Sequence, residues 1–213
     1  PTQVDDYNFE VEVTDGIAST RLQYSIYVNA PPVISSRLPE IFILPEGEKL
    51  DFSLESFDLN SNTELEWKLL SGPTDMTLNQ QGSLHWSSND LGHHPYEIQL
   101  NDGIDSILWH ASIYVNASPV IISDPVMVVA QDEVYFYQIE VKDENSVSSA
   151  DPLRDNSINL YLIQAPEGMK IYENNAIIWD TKNSPQNEYP ISIVASDGAE
   201  ETLQQFQLFI NTF

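Results

Sequence analysis

The residues with the greatest capacity for chemistry in this sequence are carboxylates, and several stand at regular positions. There are 33 Asp and Glu residues against 8 Lys and Arg, for a formal net charge of −25. Asp-Gly pairs begin at Asp15, Asp102 and Asp197, and an acidic stretch runs from Asp143 to Asp155. Oxygen-rich loops attract hard cations such as calcium. Asp-Gly is equally a tight-turn sequence and an acidic loop is equally a solvated surface, so both interpretations stay open.

Other patterns of catalysis and metal binding are weak or missing. His93-His94 is a candidate transition-metal pair, but no third ligand stands at a recognisable spacing. The sequence has no Cys, which excludes disulfides, thiolate zinc sites and a cysteine nucleophile. It contains no Gly-x-Ser-x-Gly elbow, phosphate-binding glycine loop or His-Glu-x-x-His helix. We therefore expect no enzymatic activity.

The charge and the hydrophobic pattern also bear on partners. A strongly negative field repels nucleic acid and anionic membrane surfaces, so we expect neither as a partner. No apolar run is long enough to cross a membrane, and no basic-then-apolar signal segment opens the sequence. We expect no membrane insertion in this segment.

The elements that would position these residues form an internal repeat. Three segments share an alternating strand, an Asp-Gly pair, a second strand, and an Asn that stands 14 positions after the Asp. The two later copies also share a Pro that precedes a Trp by 13 positions. The closing residues are Asn29, Asn116 and Asn211, and the Pro and Trp pairs are Pro73 with Trp86 and Pro166 with Trp179. Agreement at so many fixed offsets indicates true repeats.

Within each repeat the local hydrophobic period is two. Tyr7, Phe9, Val11 and Val13 alternate with polar residues, as in an antiparallel strand with one buried face. The pattern predicts an all-β chain of tandem β-sandwiches, arranged end to end. Trp86 and Trp179 are predicted core residues.

The predicted domains follow from the repeat. Residues 1–30 are the last two strands of a truncated repeat, and residues 31–117 form a full repeat. Residues 118–213 form the next, with a loop insertion near 146–156.

The repeat also resembles a known family. The strings at 45–47, 57–69, 76–86 and 96–119 resemble the opening, middle and end of a cadherin-type repeat, nearest to bacterial "putative Ig" and dystroglycan-type cadherin-like domains. The resemblance implies Ig-like, cadherin-like Greek-key β-sandwiches of about seven strands each, in extracellular adhesive or scaffold proteins. It also implies calcium at the joints between repeats.

Carried over residue by residue, the resemblance implies one set of calcium ligands at each joint. The second joint would use Glu46, Asp90, Asn116, Asp143, Asn145 and Asp197, and the first would use Asn29, Asp58, Asn60 and Asp102. The linker Asn116-Ala-Ser-Pro119 departs from the family's Asp-x-Asn-Asp-Asn, and Asn89-Asp90-Leu91 replaces its Asp-Arg-Glu. These losses remove carboxylates, so a three-ion joint is not expected and one ion per joint stays open.

Three functional hypotheses follow. The first is a non-enzymatic extracellular adhesion or scaffold segment that meets other proteins or neighbouring copies through strand edges and loops. The second is a carbohydrate-binding accessory module of a secreted enzyme, which an exposed line of aromatics including Trp109 and Tyr135 or Tyr137 would favour, although the alternation points most aromatics inward. The third is a subunit of a surface filament, assembled through the strands of residues 1–30.

Overall fold

The computed structural model describes residues 4–36, 39–61, 63–145, 158–182, 184 and 187–211. Every regular element in these ranges is a β-strand. The strands are β1 Asp5–Thr14, β2 Ser19–Val28, β3 Val33–Ile34, β4 Ile41–Pro45, β5 Lys49–Ser53, β6 Ser56–Phe57, β7 Glu66–Ser71, β8 Thr77–Leu78, β9 Ser83–Ser87, β10 Gly92–Asn101, β11 Ser106–Asn116, β12 Val120–Ile121, β13 Val128–Ala130, β14 Val134–Gln138, β15 Val141–Lys142, β16 Asn159–Gln164, β17 Lys170–Ile171, β18 Ala176–Asp180, β19 Glu188–Ser196 and β20 Glu201–Asn211.

The sheet topology is the same in the second and third repeats. The second has a four-stranded sheet in the order β4-β11-β10-β7, a three-stranded sheet β5-β9-β8 and a short pair β3-β6. The third has β13-β20-β19-β16, β14-β18-β17 and the pair β12-β15. The four-stranded and three-stranded sheets together have the predicted seven strands, the short pair is additional, and the all-β Ig-like fold class is confirmed. The predicted insertion at 146–156 lies outside the described residues.

By its internal contacts the chain divides into two compact units. The first comprises residues 1–42, 49–87 and 94–113, and the second comprises residues 43–48, 88–93 and 114–213. The repeat boundaries after residues 30 and 117 stay predictions from the sequence. No described helix is long and apolar enough to cross a membrane.

Each of the two predicted core tryptophans is buried, with 5% of its surface exposed. In the first unit Trp86 Nε1 donates to the carbonyl of Thr74 (3.0 Å), and in the second Trp179 Nε1 donates to the carbonyl of Glu167 (3.1 Å). Each acceptor follows the proline that the sequence repeat conserves. The Pro-to-Trp spacing therefore records a hydrogen bond that orients the indole in the core.

The N-terminal hairpin departs from the alternation prediction. Strands β1 and β2 pair over ten residues, and the alternation does put Phe9, Val11 and Val13 on one face. That face is not buried, because 45% of Phe9 and 66% of Val13 are exposed. No second described sheet covers it, so the expected buried face is wrong for this hairpin.

Tyr135 and Tyr137 do not form the exposed aromatic line that would favour glycan binding. Tyr135 and Tyr137 are only 1% and 2% exposed and belong to the core of the second unit. Trp109 is half-buried. Tyr137 Oη donates to the carbonyl of Ser123 (2.9 Å), whereas the buried hydroxyl of Tyr135 has no hydrogen-bond partner among the described residues. Burial raises the pKa of Tyr135 above its usual value.

Tyr135→Phe is therefore expected to raise the free energy of unfolding by about 1 kcal/mol, because a buried hydroxyl without a partner costs about that much. Urea unfolding followed by circular dichroism measures the change. Tyr137→Phe is the matched control, and it should lower stability because it removes satisfied hydrogen bonds. A loss of stability in Tyr135→Phe would show that its hydroxyl has a partner.

Candidate functional site

At the first joint, directly after β2, a linker asparagine bridges two carboxylates. Asn29 Nδ2 donates to Asp102 Oδ2 (2.9 Å) and to Asp105 Oδ2 (3.0 Å). Partial burial favours a higher pKa for Asp102, but the hydrogen bonds from Asn29 and from backbone N–H groups outweigh it and lower that pKa below its usual value. One amide thus holds together two groups that would otherwise repel.

The Asp-Gly turn sets the position of the accepting carboxylate. Asp102 Oδ1 accepts hydrogen bonds from the N–H groups of Ile104 (2.7 Å) and Asp105, which closes the turn. Gly103 has φ +90°, a conformation that favours glycine. Because Oδ1 is used by the turn, Oδ2 is left to face the linker. The same aspartate therefore serves both as a turn residue and as a joint residue.

A second asparagine holds the linker backbone at the first joint. Asn60 Oδ1 accepts from the N–H of Ala30 (2.7 Å), and its Nδ2 donates to the carbonyl of Val28 (2.8 Å). The Asn60 amide thus binds one backbone group on each side of Asn29. These two hydrogen bonds fix the course of the linker backbone there. Asp58 Oδ1 accepts from the N–H of Asn60 (2.7 Å) and so orients it.

The second joint repeats the amide bridge with deeper burial. Asn116 Nδ2 donates to Asp197 Oδ2 (2.8 Å) and to Glu200 Oε2 (3.2 Å). Asn116 is 1% exposed and Asp197 is 3% exposed. Asp197 Oδ1 accepts from the N–H of Ala199 (2.8 Å) and of Glu200 (2.7 Å), as in the first turn. A carboxylate buried to this degree is stable only because donors satisfy both of its oxygens.

The backbone clamp recurs at the second joint as well. Asn145 Oδ1 accepts from the N–H of Ala117, and its Nδ2 donates to the carbonyl of Val115 (3.2 Å). Asp143 Oδ1 accepts from the N–H of Asn145 (2.9 Å). The two joints therefore have the same five-part network, built from residues at equivalent positions.

Glu46 and Asp90, the remaining predicted ligands, lie in the second unit and are exposed. Glu46 reaches the second joint through its backbone, where its N–H donates to the carbonyl of Asn116 (2.7 Å). The N–H of Asp90 donates to Ser88 Oγ (2.9 Å). The structure thus brings together Asn116, Asp143, Asn145 and Asp197, with Glu46 beside them through its main chain.

Two joint residues were not identified from the sequence. Asp105 and Glu200 each supply the second carboxylate that the linker asparagine bridges. Each stands three positions after the Asp of its Asp-Gly pair, whereas Ala18 occupies that position after Asp15. A comparison of the three turns for a shared acid at that position would have found them.

The donor set does not fit the calcium joint that the resemblance implies. Calcium takes six to eight oxygen ligands, but here an amide NH₂ group, which cannot ligate a cation, lies between the two nearest carboxylates at each joint. The described residues contain no group of three or more His, Cys, Asp or Glu side chains that could hold a metal. Asn29 Oδ1 and Asp58 Oδ2 are buried acceptors without a hydrogen-bond partner in the same ranges. Calcium stays a prediction, and these two atoms at the first joint are what favours it.

The histidine pair makes ring contacts. His94 lies 4.8 Å from Trp86 between ring centroids, and His93 lies 5.0 Å from Tyr114. These contacts give both imidazoles a packing role.

Comparison with known proteins shows the fold and no more. No protein-family model and no curated protein matches the chain. Among solved structures, extracellular domains 3–5 of Drosophila OTK match with a TM-score of 0.60 and 11% identity, over 96% of this chain and 71% of that one. Immunoglobulin domains 1–4 of Sidekick-1 match with a TM-score of 0.52 and 13% identity, over 97% of this chain and 59% of theirs.

An endo-fucoidan hydrolase from glycoside hydrolase family 107 also matches, with a TM-score of 0.34 and 17% identity. The match covers all of this chain but only 35% of that enzyme. A similarity at that score supports no argument about activity. The matches together show an Ig-like β-sandwich chain, and the narrower cadherin-like resemblance stays a prediction.

Proposed function

We propose that this chain is a non-enzymatic structural segment of a modular extracellular protein, in which Ig-like, cadherin-like repeats space or display adhesive parts. The observation that supports the proposal is the joint network, which occurs twice with equivalent residues. Hydrogen bonds from side chains to both sides of a linker restrict the motion of its backbone. A segment that transmits force or fixes spacing needs such joints.

The third repeat has a feature suited to transmitting force. Its first long strand, β13, pairs in parallel with its last, β20, through Val128 with Phe209, Val129 with Ile210 and Ala130 with Asn211. A pull on the two ends of the repeat runs along both strands in opposite directions. The ladder hydrogen bonds are then loaded together rather than one after another, which raises the force needed to separate the strands.

Force spectroscopy on the chain tethered by its two ends tests the proposal. We expect two separate unfolding events, each lengthening the chain by roughly 300 Å, since about 90 residues extend by about 3.3–3.6 Å each. Asn116→Ala should lower the force of the event that belongs to the third repeat, and the exposed Asn174→Ala is the matched control. Gradual extension without separate events, or turnover of a glycan, ester or peptide by the chain, would contradict the proposal.

A further inference from the structure

The N-terminal hairpin presents one apolar and one polar face. Directly opposed residues on the apolar face are Tyr7 with Ile26, Phe9 with Tyr24, Val11 with Leu22 and Val13 with Thr20. The rings of Phe9 and Tyr24 stack with centroids 5.4 Å apart. The opposite face pairs Asn8 with Ser25, Glu10 with Gln23 and Glu12 with Arg21, and Arg21 bridges Glu10 and Glu12. An antiparallel hairpin of this kind has one face suited to solvent and one face suited to packing in a hydrophobic core.

The register of the hairpin is that of β19 and β20, pair for pair. When the Asp-Gly turns are aligned, Tyr7 with Ile26 corresponds to Tyr189 with Leu208, and Phe9 with Tyr24 corresponds to Ile191 with Phe206. Tyr189, Ile191 and Leu208 are core residues of the second unit. The hairpin thus has the core face of a complete repeat, and Phe9, Leu22, Tyr24 and Ile26 on that face are exposed.

The third repeat shows what such a face contacts. Its β19 and β20 stand between β16 and β13 in one sheet, and the other sheet of the sandwich is β14-β18-β17. Trp179 of β18 meets Tyr189 at 5.0 Å between ring centroids. Since Tyr7 is the counterpart of Tyr189, the surface that covers the hairpin should place an indole there.

We propose that the apolar face of β1 and β2 is an interaction surface for the front half of its own repeat, formed by the polypeptide directly N-terminal to β1. That segment supplies a three-stranded sheet over the face and one strand on each hairpin edge. It is about as long as the front halves of the other repeats, which run over residues 31–91 before β10 and 118–187 before β19. Its core Trp stands 16 to 18 positions before Asp15, as Trp86 and Trp179 stand before Asp102 and Asp197.

Charge disfavours a second copy of the chain as the occupant. Each copy has a formal net charge of −25, and two hairpins face to face would bring these fields together. A segment of the same polypeptide also meets the hairpin at a high effective concentration, which a separate chain does not. The proposal is independent of the function proposed above.

Amide hydrogen exchange on two forms of the protein tests the proposal. One form begins at Pro1, and the other is extended N-terminally by the proposed front half of about 70 residues. We expect the extension to slow exchange of the β1 and β2 amides by about 100-fold or more, because they become part of a closed sandwich. In the extended form Val11→Lys should remove this protection, whereas Asn8→Lys on the polar face should not.

Two controls keep the outcomes separate. Exchange of the β10, β11, β19 and β20 amides reports whether the complete repeats remain folded in each variant. Light scattering gives the mass of the particle. Unchanged hairpin exchange in the extended monomer overturns the proposal, and so does protection that rises with concentration together with a dimer mass, which would identify a second copy as the occupant.

Discussion

Asn116→Asp is expected to lower the free energy of unfolding by about 3 kcal/mol near neutral pH, the largest loss from any single change at the joints. The substitution keeps the size of the side chain but replaces the NH₂ group that donates to Asp197 and Glu200. Three carboxyl groups would then share a site in which Asn116 is 1% exposed. Like charges at short range in a buried site repel strongly, or one of them takes up a proton.

Thermal and urea unfolding of the variant, in calcium and in chelator, measure both the loss and its cause. The new carboxyl group supplies an oxygen in place of a donor, so calcium should restore part of the stability of the variant and change that of the original chain far less. Asn29→Asp should cost less, because Asn29 is only half-buried and solvent screens its carboxylates. Asn174→Asp, on an exposed turn, adds the same charge and should have little effect. A stable Asn116→Asp chain would contradict the amide bridge.

Trp179→Ala is expected to lower the free energy of unfolding by about 3–5 kcal/mol, as for other large-to-small changes in a core. The indole packs against Tyr189 in the core of the second unit and donates a hydrogen bond to the carbonyl of Glu167. Its removal leaves a cavity and a carbonyl without its donor. Urea unfolding followed by circular dichroism measures the change without relying on tryptophan emission.

Trp179→Phe separates the two contributions of the indole. It keeps much of the packing and loses the hydrogen bond, so its cost should be closer to 1–2 kcal/mol. Trp86→Ala should behave like Trp179→Ala, because Trp86 makes the same bond to Thr74. A loss below about 1 kcal/mol for both alanine variants would show that the indoles do not organise the cores.

The sequence predicts the strands well because alternation, Asp-Gly turns and fixed offsets are local signals. Of the residues that the family resemblance places at the joints, Asn29 with Asp102 and Asn116 with Asp197 lie within hydrogen-bond distance. The residues near each asparagine in the sequence do not determine which atom of its side chain makes that contact. Whether an asparagine presents its oxygen to an ion or its nitrogen to a carboxylate depends on the position of groups such as Asp105, which lies 76 residues from Asn29 in the chain.

Burial is predicted less well, and for a physical reason. Alternation assigns residues to one of two faces but does not say which face another sheet covers. Tyr135 and Tyr137 stand on the covered face of β14, and Phe9 and Val11 stand on the uncovered face of β1. The difference lies in what packs against each strand, which no window of the sequence around that strand contains.

Each joint is built from residues of two consecutive repeats. This arrangement bears on how an array can gain or lose repeats. The preceding repeat contributes the asparagine and its flanking backbone groups, and the following repeat contributes the Asp-Gly turn and the second asparagine. The predicted repeat 31–117 therefore carries both complementary halves, with Asn60 and the Asp102 turn for the joint before it and Asn116 for the joint after it. Duplication or deletion of one whole repeat in a gene would leave every joint complete, so arrays of different length can arise without any further substitution.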